Sequence, residues 1–184
     1  MPRVPPITGK DDVPAEYHHV VDDVLGVFGR VRGPFSMLLH SPTLASKLLP
    51  MVPFNRDETI VEPAPRFAAI LAAVREREGA YVWAAQVAAA QRAGVTQATI
   101  DLLREKGDPA SLPADEADVV TYIRQLMRTN RTDKAVFDRL RERHGVQWLV
   151  ELTAIANYYA MLCGIVNAFE VDPPPDGDRL PASP

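Results

Sequence analysis

One cysteine, Cys163, stands in 184 residues. A single thiol excludes an intrachain disulfide, a CxxC redox pair and a cysteine-built zinc site. It fits a cytoplasmic location, where thiols stay reduced. Basic blocks are missing too: 20 Lys and Arg are interspersed with 24 Asp and Glu, for a formal charge of −4. No basic face with interleaved aromatics offers itself to nucleic acid. The N-terminus, Met1-Pro2-Arg3-Val4-Pro5-Pro6, lacks the apolar stretch and cleavage site of a signal peptide. No uninterrupted apolar run approaches the ~20 residues of a membrane-spanning helix. The most apolar stretch, near the C-terminus, is broken by Glu151, Asn157 and Asn167. Alternation of the kind that marks strands and hairpins is absent. His18 and His19 are adjacent and diverge on a helix, so they make a poor metal pair. Neither a metal nor a cofactor is expected.

What is present is a chain 47% hydrophobic, enough to build one domain with a real core. Residues 1–13 and the tail 172–184 are proline-rich and charged. The tail, with Pro173-Pro174-Pro175 and then Asp176, Gly177 and Asp178, cannot order itself alone and is expected to be flexible. Both arms remain free to pack on a neighbouring subunit. Between them, over 14–171, the period is helical. Tyr17, Val20, Val21, Val24 and Phe28 mark a first amphipathic segment, closed by Gly29 and Gly33. Ser41-Pro42 has the form of an N-cap with proline at the first helical position, opening a short helix through Leu49. The prolines that follow predict an irregular loop over Met51–Pro65.

Phe67, Ile70, Leu71 and Val74 place a helix from Pro65 to Glu78, and an alanine-rich one runs from Ala80 to Ala93, with Gly94 suited to a left-handed cap. Thr96 caps a short helix ending at Gly107. Ser111 and Pro113 start another, along Val119, Val120, Ile123, Leu126 and Met127. Thr132 opens the next, to His144-Gly145. A last helix, Val146 to Phe169, spans roughly 36 Å at the standard rise. The fold class is all-α, a bundle of about six to eight helices.

Two segments carry a resemblance. The first is Tyr81-Val82-Trp83-Ala84-Ala85-Gln86 and its continuation through Ala93-Gly94 to Ile100; the second is Gly145-Val146-Gln147-Trp148-Leu149-Val150-Glu151-Leu152, running on to Asn167-Ala168-Phe169. With a weaker match at Leu39-His40-Ser41-Pro42, they resemble the carboxymuconolactone decarboxylase and alkylhydroperoxidase D-like family over residues 35–171. The resemblance implies a compact helical bundle that assembles as trimers or hexamers. It also implies either lactone decarboxylation or thiol-dependent hydroperoxide reduction. Aligned on the Trp-to-Gly spacing, the redox branch's two cysteines and histidine fall on Gly79, Val82 and Gln86. None of these forms a thiolate or moves a proton near neutral pH. In the decarboxylase-like branch the histidine is kept, so Gln86 departs from that pattern too.

The candidate site residues each have a plainer role beside the functional one. Gln86 can orient a substrate carbonyl or satisfy a backbone group between helices. Glu78 lies eight residues before Gln86, about two turns on a continuous helix. It is a candidate acid or base with a pKa raised by burial, or one charge of the solvated run Arg75-Glu76-Arg77-Glu78. Tyr81 can donate to a ligand oxygen. Trp83 is read as a pocket wall or as core. His40 can replace the missing base or serve at a helix cap. Tyr159 is substrate-binding or core. His144 fits a helix C-terminal cation, and Cys163 a buried apolar filler.

The leading expectation is a cofactor-independent, lyase-like enzyme for a small cyclic or carboxylated molecule. Its catalytic residues would be Gln86, His40, Glu78 and Tyr81, with Trp83 and Tyr159 binding substrate. Its rivals are a non-catalytic oligomeric binding or scaffold protein, and a residual peroxidase using Cys163 across a subunit interface.

Overall fold

The computed structural model describes residues 2–181, and its elements among these residues are helices and turns, without strands. Ten α segments occur in chain order: α1 His18–Phe28, α2 Pro34–Leu38, α3 Pro42–Leu48, α4 Met51–Pro53, α5 Pro63–Glu76, α6 Ala80–Arg92, α7 Gln97–Arg104, α8 Ala114–Thr129, α9 Lys134–His144 and α10 Val146–Ala168. The contacts cluster into two units. Among the described residues one comprises 2–59 with 164–172, the other 60–163 with 173–181.

In the first unit α1 buries Val20, Val21 and Val24 and ends at Gly29, whose φ of 70° is the left-handed cap its sequence called for. Pro34 starts α2, where a missing N–H costs nothing. Phe28 and Phe35 meet with ring centroids 5.3 Å apart. Ser41 does precede α3, but its hydroxyl makes no capping bond. The N-terminal arm is tied to its own unit. Ile7 N–H donates to the Ser36 carbonyl at 3.0 Å and Arg3 N–H to the Phe169 carbonyl at 2.9 Å.

The expected loop after Leu49 is largely helical, which corrects the sequence reading. α4 runs into a π turn, Phe54–Glu58, closed by Thr59 N–H on the Phe54 carbonyl at 3.0 Å. Pro50 and Pro53 both adopt αR backbone. Prolines are tolerated where the N–H they lack has no intrahelical acceptor, so their presence did not forbid a turn here. Asn55 is buried in this turn with both amide atoms unpartnered.

The second unit is organised on α5. Every residue from Ala68 to Arg75 is buried, as expected of a helix apolar all round, and α5 packs on α8, α6 and α7. Its alanines at 68, 69, 72 and 73 leave room for Ile123 and Met127 of α8 and Leu103 of α7 in the same core. A buried acid, Glu76, is flanked by Arg124 at 3.5 Å and Arg128 at 2.7 Å. Three boundaries differ from expectation. α5 starts at Pro63, because prolines are accommodated throughout its first turn. Ser111 closes a separate 3-10 turn, so α8 begins only after Pro113. α9 begins after Asp133, not at Thr132, because Asn130 ends α8 in left-handed backbone.

By length and composition α10 is apolar enough to cross a membrane, with mean hydropathy 1.5 over its most apolar window. A windowed average passes over Glu151 and Asn157, which the sequence reading counted as interruptions. Yet Trp148, Leu152, Ile155, Ala156, Leu162 and Cys163 are buried in the protein, the habit of a core helix.

Candidate functional site

The α5–α6 junction turns within three residues. Glu78 takes left-handed backbone at φ 50°, and Gly79 leads into Ala80. The two helices are therefore separate, and the continuous-helix relation between Glu78 and Gln86 does not hold. A Cβ on Gly79 would lie 2.2 Å from Cys163 Sγ. The space that any side chain at position 79 would need is thus filled by the chain's own thiol. Cys163 is wholly buried, and burial pushes its pKa up to about 12, so it is a thiol and not a nucleophilic thiolate.

Glu78 is clasped by cations. Its carboxylate accepts from Arg75 Nη1 and from Lys106 Nζ, the latter at 2.6 Å. Burial acts to raise its pKa, but the Lys106 hydrogen bond and the charges of Arg75 and Lys106 outweigh it and hold the group below its ordinary value. The direction is opposite to the one expected from burial alone. A carboxylate so held is a poor general acid at neutral pH.

Trp83, on α6, is fully buried. A buried indole N–H needs an acceptor, and Trp83 Nε1 donates to Asp178 Oδ1 at 2.8 Å. Arg104, the last residue of α7, donates to the same carboxylate through Nη2 at 2.8 Å and Nε at 3.3 Å. Its guanidinium also stacks over the Trp83 ring, 5.8 Å from the centroid, and pairs with Asp101. Burial works against the Arg104 charge, but hydrogen bonds to Asp101 and Asp178 raise its pKa.

The tail therefore does not stand free. Over 173–180 it lies along this unit as a strap. Gly177 N–H donates to the Pro174 carbonyl at 3.1 Å, and Arg179 Nη2 folds back on the Pro175 carbonyl at 3.1 Å. Gly177 presses against Ala84, where an added Cβ would come within 2.5 Å. Sequence reasoning missed both Arg104 and Asp178. Trp83 was the only local signal, since a buried tryptophan implies an acceptor somewhere.

Gln86 lies one turn beyond Trp83 on α6, half-buried, and its side chain makes no hydrogen bond among the described residues. Tyr81 is buried at the start of the same helix. His40 is exposed in the first unit, its Nε2 at 2.9 Å from the Pro5 carbonyl. A carbonyl only accepts, so the proton sits on Nε2. Tyr159 on α10 is half-buried and meets Tyr158 edge-on, with centroids 5.8 Å apart; burial raises its pKa while Arg66 pulls the other way. Thus Trp83, Gln86 and Tyr81 share one helix. Glu78 belongs to the junction before it, and His40 and Tyr159 lie elsewhere in the sequence order.

A cleft of about 340 Å³ is lined by Glu62, Thr96, Asp115, Glu116 and His144 among others. His144 stacks on Trp148 with centroids 3.9 Å apart. Trp148 Nε1 donates to Glu62 at 2.7 Å and so holds that carboxyl below its ordinary value. An apolar groove of about 300 Å³ runs along the exposed side of α10 by Val146 and Val150. Among the described residues no group of three or more His, Cys, Asp or Glu is gathered to hold a metal ion.

No protein-family model matches the chain, and no curated protein matches it. Among solved structures it is similar to the alkylhydroperoxidase AhpD core of an uncharacterized peroxidase-related protein from Ralstonia eutropha JMP134. The identity is 15% and the TM-score 0.71, over 94% of this chain and 95% of that one. At such identity the likeness is one of backbone and not of chemistry. The chain has the all-helical alkylhydroperoxidase AhpD-like fold.

Proposed function

We propose that the chain is a carboxymuconolactone decarboxylase-like protein, a cofactor-independent cytoplasmic enzyme acting on a small carboxylated organic molecule and working as a homo-oligomer. One observation carries the reading: the Trp83 indole N–H and the Arg104 guanidinium converge on a single carboxylate, and Gln86 follows Trp83 by one turn on the same helix. A guanidinium and an indole N–H together form a charge-assisted carboxylate clamp.

An anchored carboxylate is stabilised in the ground state and resists losing CO2. The clamp therefore holds a carboxylate that stays, while a second carboxyl group departs. In that step the C–CO2 bond breaks, its electron pair enters an enolate, and a proton returns to carbon. Gln86 can donate to the developing enolate oxygen, whereas Tyr81, two residues before Trp83, faces a different direction on α6 and is the weaker candidate for the proton. Glu78 leaves the list of acids because two cations hold it ionised. His40 Nε2–H is already given to Pro5, so it is not retained as the acid. Peroxidase chemistry is disfavoured by the buried, protonated Cys163.

The test is CO2 release from a panel of lactone acids. Arg104→Ala is expected to raise KM by about 10- to 100-fold, the worth of a charged hydrogen-bonded contact. Gln86→Ala should lower kcat. Gln86 does not titrate, which favours a second reading as a non-catalytic binding protein; tight carboxylate binding without any CO2 release would select it. Failure to bind any small carboxylate would sink both.

A further inference from the structure

Asp178 belongs to this chain, yet it sits in the clamp as a ligand would. The segment around it is shaped for that purpose. Pro173 and Pro174 lead into a turn with little conformational entropy left to lose, and Pro175 sits at its first central position. The Pro174–Gly177 turn then redirects the chain. At Gly177 the backbone comes so close to Ala84 that a side chain would collide. Immediately after it, Asp178 reaches Trp83 and Arg104. Arg179 folds back on Pro175 and closes the loop. Close approach, turn and anchor follow one another within six residues.

We propose that residues 173–180 form a built-in competitor for the Trp83–Arg104 clamp, with the Asp178 carboxylate standing where the carboxylate of a small organic acid binds. The proposal rests on the reading of this clamp as the carboxylate site. It adds that the site is self-occupied, so ligand entry requires the strap to lift. Both contestants offer the same chemistry, a carboxylate to an indole N–H and a guanidinium, so they exclude one another. Apparent affinity then scales with the open fraction: a strap closed about nine-tenths of the time weakens binding about tenfold. A neutral amide of the same shape cannot take the charge-assisted bonds and does not compete.

The experiment uses the full chain and two independent ways of loosening the strap. Asp178→Asn removes the charge that Arg104 holds. Gly177→Val leaves Asp178 intact and forces the backbone away from Ala84. Formate, succinate and benzoate are titrated by calorimetry, with benzamide as the neutral control, and the Trp83 indole N–H resonance is followed by NMR before any ligand is added. The expected result is that the Trp83 resonance moves in both variants, that carboxylates bind both about tenfold more tightly than the parent, and that benzamide binds none. If the three proteins bind carboxylates equally and Arg104→Ala abolishes binding, the strap is overturned and the clamp stands. If no carboxylate binds any of the three although the Trp83 resonance moves, the clamp reading falls and the competitor proposal with it. Should Gly177→Val fail to fold, the near-isosteric Asp178→Asn decides alone.

Discussion

The two sides of α6 treat a neighbouring functional group in opposite ways. At its N-terminal end Gly79 is packed against Cys163 so tightly that a single added carbon would overlap the sulfur. Farther along, Trp83 donates to a charged group on a separate segment, a strap without regular structure that lies against Ala84. The first contact is apolar and has no water to displace. The second is polar, part-exposed and reversible by design of its chemistry. One helix thus has a sealed position at its start and, under the proposed strap, an openable one where an anion is held. The contrast shows that a sealed contact and an exchangeable one can share a helix: at Gly79 the core is closed by the chain's own thiol, while the clamp nearby holds the chain's own anion.

The largest test of this contrast is thiol reactivity. Cys163 in the native protein should react with a neutral disulfide reagent more than about a thousandfold slower than in denaturant, since reaction waits on an opening costing several kcal/mol. Labelling at free-thiol rates would show that the sealed end is not sealed.

Next is Gly79→Val, which overpacks the same contact and should cost about 3 kcal/mol in urea unfolding. Adding Cys163→Ala should recover part of that loss, a coupling that a double-mutant cycle reads directly. Additivity of the two changes would argue that the backbone moves instead.

At the other side, Asp178→Asn is expected to lower stability by only about 1 kcal/mol, because its ion pair is part-exposed and solvent screens it. A loss as large as that at Gly79 would mean that the strap is part of the core.

The smallest effect belongs to the junction that precedes α6. The folded pKa of Glu78 lies below its ordinary 4.5. Its ionised form thus contributes stability above that value, and the contribution fades as pH falls through the folded pKa. Glu78→Gln should flatten this limb of the acid-unfolding curve slightly and change nothing near pH 7 beyond a small constant offset. An effect appearing instead at alkaline pH would contradict the assignment.

Much of the architecture was legible because periodicity and caps are local. Gly29 and Gly94 stand at left-handed φ values of 70° and 97° at helix ends, where no side chain is needed and a Cβ would be strained. The spacing of Phe67, Ile70, Leu71 and Val74 located α5 to within two residues. The clamp was not legible. Arg104 and Asp178 are 74 residues apart, and no repeat or propensity encodes such a pairing. Glu78 misled for a related reason: burial was foreseeable, whereas Lys106, 28 residues on, was not. The helical turn over Met51–Glu58 was hidden by its prolines, whose helix-breaking effect depends on their position within the turn.

The strap also makes the protein its own optical sensor. It has two tryptophans. Trp148 lies face to face with the His144 imidazole, a partner that quenches indole emission. Trp83 is shielded from water and lies instead under the Arg104 guanidinium, so the two indoles differ in surroundings and only Trp83 touches the strap. Lifting the segment above it would wet the ring and move the emission toward longer wavelength, so that opening can be watched in real time without a label.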